Sequence, residues 1–118
     1  MKPNRAEIHQ KYNGKCAYCG QSVKIERMQV DHITPKYLQG TDDISNLNPS
    51  CYSCNNYKDT YSLEVFRRQL ANLINKNRHY LYASKSKQLL AENYGAVIYK
   101  EWDGLFYFEK EKQHDQTN

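Results

Sequence analysis

The sequence predicts a small α+β fold, because two kinds of periodicity occur along the same chain. Short segments alternate apolar and polar side chains, as strands with one buried face do, and longer segments place apolar residues at helical spacing. A chain of 118 residues buries a modest core, so an additional source of stability is expected. These observations predict a single domain over residues 1–118.

The first part of the chain predicts a short helix followed by two short strands. Residues 3–12 suit a helix that has proline near its first turn and ends at Asn13-Gly14. Residues 28–33 alternate apolar and polar side chains and suit a strand. Residues 34–48 contain proline, glycine and aspartate, which favour a loop that returns to a second short strand.

The second part predicts two helices and a hairpin. A long amphipathic helix should begin between Cys54 and Ser62, because apolar residues then recur at helical spacing, namely Leu63, Phe66, Leu70, Leu73 and Ile74. The segment "ASKSKQLLAENYG" is typical of a second helix that ends at Gly95. The segment "AVIYKEWDGLFYFEKE" alternates on both sides of Asp103-Gly104, which predicts a β-hairpin.

This pattern divides the chain into a core at about residues 15–60 and a C-terminal helical and hairpin extension at about 62–111. The polar tail, residues 112–118, is expected to be frayed. No apolar run approaches the ~20 residues of a membrane span. The N-terminal residues lack the apolar segment of a secretory signal. We therefore expect a cytoplasmic protein with no membrane partner.

The charge balance favours an anionic partner only mildly. The chain has 17 Lys and Arg residues against 13 Asp and Glu residues, a net charge of +4. It also has 11 tyrosines, and tyrosine rings either stack on nucleic-acid bases or fill small cores. Composition is therefore consistent with nucleic-acid binding without deciding it.

Four cysteines stand in two pairs with metal-ligand spacing. Two residues separate Cys16 from Cys19 and Cys51 from Cys54, and this spacing lets one tight turn aim both sulfurs at a tetrahedral ion. Metal ligation is expected over disulfides because the cytosol keeps thiols reduced. Two pairs would complete a closed four-sulfur zinc site with a structural role. The alternative, unrelated buried or reactive cysteines, leaves the paired spacing unexplained.

Three polar residues near the second cysteine pair predict a catalytic centre. Zinc at Cys51 and Cys54 would place Asn55 at the start of a helix that faces the strand with Asp31 and His32. Carboxylate and carboxamide oxygens suit a hard divalent ion, so Asp31 and Asn55 are the expected ligands of Mg²⁺ or Mn²⁺. A neutral imidazole beside that ion can take a proton from water, so His32 is the expected general base. A purely structural histidine is the alternative.

The segment from about Lys15 to Lys58 resembles the HNH endonucleases, a family with a ββα-metal fold. The resemblance rests on "CAYCG", "VDHITP", "DISNLNPSC" and "CYSCNNYK", in the family's order and at its spacing. His32, Asn46 and Asn55 correspond to the three letters of the family motif, and Asp31 matches the acidic metal ligand. The chain is similar to the small stand-alone members found in phages near DNA-packaging genes.

The resemblance implies hydrolysis of DNA phosphodiester bonds to 5′-phosphate and 3′-hydroxyl ends, with a divalent ion stabilising the developing charge. It also implies that Asn46 holds the loop and the imidazole in place. Asn48 is the alternative for that role, ranked second because Asn48-Pro49 suits a turn. Two positions depart from the commonest family pattern: Gln39-Gly40 stands where two glycines often occur, and Asn55 stands in place of histidine.

Four basic residues could contact nucleic-acid phosphates, so DNA is the expected partner: Lys36, Lys58, Arg67 and Arg68. A merely solvated side chain is the alternative for each of them.

Two other functions compete with the nuclease. A non-catalytic zinc module that binds nucleic acid would use the same cysteines, but it leaves the four polar motif residues unexplained. An interaction protein would dock through the hairpin onto a larger phage-packaging or defence assembly, with a packaging motor or a defence ATPase as its partner. The expected setting in each case is the cytoplasm of a bacterium or of a phage-infected host.

Overall fold

The computed structural model describes residues 3–76, 85–94 and 102–116, and these form an α+β structure. Its regular elements are α1 (Arg5–Gln10), β1 (Gln29–His32), β2 (Leu47–Ser50), α2 (Tyr52–Lys58), α3 (Leu63–Ala71), α4 (Lys85–Asn93) and α5 (Tyr107–Gln116). A π-helical turn, Asn72–Lys76, continues α3. Among the described residues, no helix has both the length and the apolar character that crossing a membrane requires.

The two strands form an antiparallel pair that the following helix covers. Asp31 lies opposite Asn48, and His32 lies opposite Leu47. All of β2 is buried, and α2 begins after Cys51 and packs against β1. This order of strand, loop, strand and helix is the predicted core, and it brings the end of β1 close to α2.

The loop between the strands turns tightly at Gln39 and Gly40. Gln39 has a φ of 70°, a left-handed conformation that costs a non-glycine residue roughly 1–2 kcal/mol. A Cβ atom on Gly40 would lie 1.7 Å from the carbonyl oxygen of Thr34, so only glycine fits there. The loop therefore closes on itself and returns its second half to the end of β1.

Helix α3 begins where the apolar spacing predicts. The hydroxyl of Ser62 caps it by accepting a hydrogen bond from the backbone N–H of Val65 at 3.3 Å. Phe66 and Leu70 are fully buried on one face of α3. In the π-helical turn that follows, Leu73 and Ile74 are buried as well.

Aromatic rings join α3 to the first cysteine pair and to the C-terminal segment. Phe66 and Phe106 stack with ring centroids 5.0 Å apart. Tyr18 meets both rings edge-on, at 5.5 and 5.3 Å. Tyr18 is buried whereas Tyr37 is 67% exposed, so the tyrosines of this chain serve both as core and as surface residues.

The predicted C-terminal hairpin is wrong in its second arm, which forms α5 instead. The turn at Asp103-Gly104 is present, with the Asp103 carboxylate accepting the N–H of Leu105. Helix α5 also includes residues 112–116, which the polar composition predicted to be frayed. The first arm of the hairpin, the expected helix end at Gly95 and residues 117–118 lie outside the described residues.

The reason for the helix is a contact that sequence periodicity does not encode. Arg67 donates to both carboxylate oxygens of Glu109 at 2.6 Å, and Glu109 accepts the backbone N–H of Phe106 at 2.9 Å. This caps the start of α5 with a carboxylate that α3 holds in place. The segment from Glu109 onward is rich in Glu, Lys and Gln, which favour a helix.

Candidate functional site

The four cysteines converge into one cluster. Cys16 and Cys19 lie on a turn that the backbone N–H of Gly20 closes onto the carbonyl of Cys16, and Cys51 and Cys54 lie at the start of α2. The four sulfurs all lie within 4.8 Å of one another, and those of Cys19 and Cys51 are 3.9 Å apart. Zn–S bonds of about 2.3 Å would place tetrahedral sulfurs ~3.8 Å apart, so the spacing is compatible with zinc.

The electrostatics of the cluster favour a bound cation. Hydrogen bonds with Cys19 and the other sulfurs hold the pKa of Cys16 well below the usual thiol value. Hydrogen bonds with Cys16 and the other sulfurs raise the pKa of Cys54 well above it. Thiols this close cannot all ionise unless a cation compensates their charge. A set of four free thiols is also a donor set that structural zinc prefers.

A cleft of about 330 Å³ lies beside β1 and α2. Asp31, His32 and Asn55, which were predicted from the sequence, line it together. The remaining lining residues are Val30, Pro35, Lys36, Tyr37, Asp59 and Thr60. Asn55 reaches the cleft because it follows the second cysteine pair directly, one residue into the helix beyond Cys54.

Asp31 is almost completely buried and is held by two donors. The hydroxyl of Tyr18 donates to its Oδ2. The Nζ of Lys58 lies 3.2 Å from Oδ1 and 3.1 Å from Oδ2. Burial raises the pKa of Asp31, while the charge of Lys58 and the hydrogen bond from Tyr18 act in the opposite direction. The carboxylate therefore depends on a buried cation for its charge compensation.

Lys58 connects the two elements of the site. Its Nζ also donates to the backbone carbonyl of His32, at 2.9 Å. This contact ties the last residue of α2 to the last residue of β1 and so holds the two walls of the cleft together. The side chain of Lys58 is 0% exposed, so the predicted contact between Lys58 and a DNA phosphate is wrong in this structure.

His32 contacts a carboxylate that was not singled out from the sequence. Its Nε2 lies 2.8 Å from Oδ1 of Asp42, and Oδ2 of Asp42 accepts a hydrogen bond from Lys36 at 3.1 Å. The side chain of His32 remains 30% exposed, so water can reach the ring. Asp42 lies ten residues along the chain, in the loop that Gly40 closes, and no local motif indicates the contact.

Asn46 spans the loop that joins the two strands. Its Oδ1 accepts the backbone N–H of Thr34 at 2.9 Å, and its Nδ2 donates to the carbonyls of Thr34 and Thr41 at 3.1 and 2.8 Å. The carboxamide thus connects the residue two positions after His32 to the residue just before Asp42.

Asn48, the alternative residue, occupies a different network. It is fully buried, its Oδ1 accepts a hydrogen bond from Lys11 at 3.2 Å, and its Nδ2 lies 3.5 Å from the Tyr18 hydroxyl. Tyr18 in turn donates to Asp31, so the Tyr18 hydroxyl connects Asn48 to the Asp31 carboxylate. The two asparagines therefore contact different partners: Asn46 the loop beyond His32, and Asn48 the tyrosine behind Asp31.

Comparison with known proteins agrees with this geometry. The family model described as HNH endonuclease matches residues 16–60, which include both cysteine pairs, Asp31, His32 and Asn55. Residues 16–60 are an HNH domain. The predicted α+β fold with a ββα order and a four-cysteine cluster is thereby confirmed.

Two relatives are similar to this chain. The chain is 33% identical over 73 residues to the CRISPR-associated endonuclease Cas9 of Corynebacterium diphtheriae, covering 57% of this chain and 7% of that protein. It is 31% identical over 118 aligned residues to YoqL, a protein derived from the SPbeta prophage of Bacillus subtilis and named as an HNH endonuclease, covering 89% of this chain and 41% of the relative. The chain thus spans less than half of either relative.

The other predicted phosphate contacts of the HNH domain and its extension differ in accessibility. Arg67 pairs with Glu64 and Glu109, lies over the Phe106 ring and is 21% exposed, and its predicted contact with DNA stays a prediction. Lys36 is 59% exposed but pairs with Asp42, and Arg68 is exposed. Two of the four residues therefore remain at the surface.

The residues at the cleft fit a hard divalent ion. A carboxylate has about four acceptor positions. On Asp31, Tyr18 and Lys58 occupy both acceptor positions of Oδ2, and Lys58 also occupies one acceptor position of Oδ1. One acceptor position of Oδ1 is left. For the Asn55 side chain, no hydrogen bond is found within residues 3–76, 85–94 and 102–116, so its oxygen is open to a ligand there. One carboxylate and one carboxamide would leave further positions to water and phosphate.

Lys58→Met should lower the free energy of unfolding by about 3–5 kcal/mol, because it leaves the buried Asp31 without its cation. The measurement is the urea midpoint of the zinc-loaded protein at constant zinc content. Lys36→Met is the matched control, since it removes an exposed lysine, and it should change stability by no more than about 0.5 kcal/mol. Equal midpoints for the two variants would contradict the structural role of Lys58.

Proposed function

We propose that this protein is a metal-dependent endonuclease that hydrolyses DNA phosphodiester bonds and leaves 5′-phosphate and 3′-hydroxyl ends. The observation that carries the proposal is the meeting of Asp31, His32 and Asn55 at one cleft within an HNH domain. A non-catalytic zinc module needs only the cysteine cluster. Such a module has no use for an imidazole paired with a carboxylate beside two oxygen donors.

Five residues in and around the cleft have distinct tasks in this mechanism. His32 takes a proton from the attacking water. Asp31 and Asn55 would hold Mg²⁺ or Mn²⁺, which when bound supplies Lewis-acid stabilisation of the charge that develops on the phosphate and the leaving oxygen. Lys58 keeps the Asp31 carboxylate ionised and aligned from behind. Asn46 keeps the loop beyond His32 closed.

The surface beside the cleft suits the phosphates and bases of a DNA substrate. Lys36 lies on the rim, next to the 67% exposed ring of Tyr37. A second hollow, of about 300 Å³, is lined by Lys24, Arg27 and the 69% exposed Tyr52 among other residues. Tyr52 lies on α2, the helix that also carries Asn55. Cations can pair with phosphates there, and exposed rings can stack on unpaired bases.

The biological setting is part of the same proposal. One relative derives from a prophage and the other is a CRISPR-associated endonuclease, which supports a role in phage biology or in defence. Four free thiols clustered at one site suit the cytoplasm, where disulfides do not persist. A packaging motor or a defence ATPase remains our suggestion for a protein partner, by analogy with the settings of similar domains.

Cleavage of supercoiled plasmid DNA should require added Mg²⁺ or Mn²⁺ and stop when a chelator is added. The reason is that Asp31 and Asn55 supply too few ligands to retain a hard ion through purification. Nicked and linear products are measured on a gel, and zinc content is measured before and after a brief chelator exposure. Full cleavage in protein that holds only zinc, with no other divalent ion present, would contradict the proposal.

A further inference from the structure

We infer that Asp42 is a positioning residue for His32, whose imidazole it holds in the tautomer that has Nδ1 as the proton-accepting nitrogen. The inference rests on the proposed role of His32 as a general base. It starts from the contact between Nε2 of His32 and Oδ1 of Asp42, at 2.8 Å. Both side chains are partly exposed, at 30% and 28%, so the pair lies near the surface and not in the core, and His32 also lines the cleft.

The chemistry of the two groups determines where the proton lies. An ionised carboxylate can only accept hydrogen bonds, so Nε2 must carry the hydrogen of this contact. A neutral imidazole has one N–H, and therefore Nδ1 carries the lone pair. Within residues 3–76, 85–94 and 102–116, no partner of Nδ1 is found. A carboxylate in this position also stabilises the imidazolium that forms when the base takes a proton.

The hydrolytic step begins with a proton transfer from water to His32. One proton moves from water to Nδ1 of His32, and the electron pair of that O–H bond stays on the oxygen. This oxygen forms the new bond to phosphorus, and the bond from phosphorus to the 3′ oxygen breaks. The leaving oxygen then takes a proton from solvent water, and Nδ1 of His32 releases its proton to the hydroxide so formed, which restores the neutral base.

Two neighbouring contacts hold Asp42 in place. Lys36 donates to its second carboxylate oxygen at 3.1 Å, which keeps Oδ1 turned toward the imidazole. Asn46 donates to the carbonyl of Thr41, the residue just before Asp42, at 2.8 Å. The middle asparagine of the motif therefore acts on His32 through Asp42, because it fixes the backbone from which the carboxylate projects.

The test compares Asp42→Asn and Asp42→Ala with the parent protein, and Asp43→Ala is the matched control. Asp43 is the next residue in the same loop, and its carboxylate accepts a hydrogen bond from the hydroxyl of Thr41 at 3.3 Å, so Asp43→Ala removes the same charge without loss of the imidazole contact. Protein labelled with ¹⁵N in its four histidines reports the tautomer by long-range ¹H–¹⁵N correlation at a pH where the ring is neutral. The spectrum of His32→Ala identifies the His32 signals.

We expect His32 to be the Nε2–H tautomer in the parent and in Asp43→Ala, and a mixture of tautomers in both Asp42 variants. The value of kcat should fall about 10- to 100-fold in the Asp42 variants with little change in KM, because Asp42 acts through the base. An Nδ1–H tautomer in the parent, or Asp42 variants with parental kcat, would overturn the inference. Equal cleavage by the parent and His32→Ala would instead overturn the proposed function, and the tautomer measurement separates the two results.

Discussion

His32→Ala is expected to slow metal-dependent DNA cleavage by about 10² to 10⁴-fold, the usual effect of removing a general base. Zinc content, helical content and DNA affinity should stay near the parental values. The reason is that the imidazole contacts a loop carboxylate at the cleft and takes no part in the cysteine cluster or the aromatic core. The measurement is single-turnover cleavage of a labelled duplex, with affinity followed separately by fluorescence anisotropy.

His9→Ala is the matched control for this experiment. His9 is also partly buried, but its Nε2 lies 2.6 Å from the carbonyl of Val23, away from the cleft, so its loss should leave the cleavage rate near the parental value. All proteins must be purified identically, since a trace of contaminating nuclease would mimic residual activity. If the His32 and His9 variants cleave equally fast, His32 is not the base.

Cys51→Ser should abolish stoichiometric zinc binding and the cooperative unfolding transition of the HNH domain. Structural zinc contributes roughly 10–16 kcal/mol of apparent binding free energy, as much as the whole net stability of a small domain. Cys51 also caps α2, since its sulfur accepts the N–H of Cys54 at 3.5 Å. The parent should contain about one zinc per chain by elemental analysis, and calorimetry should show its transition.

Ser53→Ala is the control for the cysteine variant, because Ser53 lies in the same turn of α2 but is exposed and is not a ligand. Its zinc content and melting temperature should match those of the parent within a few degrees. Folded and active Cys51→Ser protein without zinc would show that the four sulfurs do not form a structural metal site.

Local signals in the sequence were sufficient to predict most elements of the core. Two Cys-x-x-Cys pairs predict their own convergence, because a tetrahedral ion needs four sulfurs and each tight turn supplies two. Strand β1 and the start of α3 were also predictable, from alternation and from the helical spacing of the apolar residues after Ser62. The meeting of Asp31, His32 and Asn55 at one cleft follows from those elements, and their roles stay predictions.

Contacts between distant residues were not predictable in the same way. The ion pair of Asp31 with Lys58 joins residues 27 positions apart, and the hydrogen bond of His32 with Asp42 joins residues ten positions apart. The sequence shows each of these groups as an ordinary charged residue. Their pairing depends on how α2 and the loop pack against β1, and the periodicity of neither segment contains that information.

The sequence by itself determined the family resemblance, the cysteine cluster and the order of the core elements, because these depend on residue type and on spacing over a few turns. Only the tertiary structure decided which charged side chains reach solvent and whether residues 107–116 form a strand or a helix. Lys58 and Arg67 are both basic residues of helical segments, yet both form ion pairs with carboxylates of distant elements. Burial makes such pairing necessary, since a buried charge without a partner would cost more free energy than a small domain can lose.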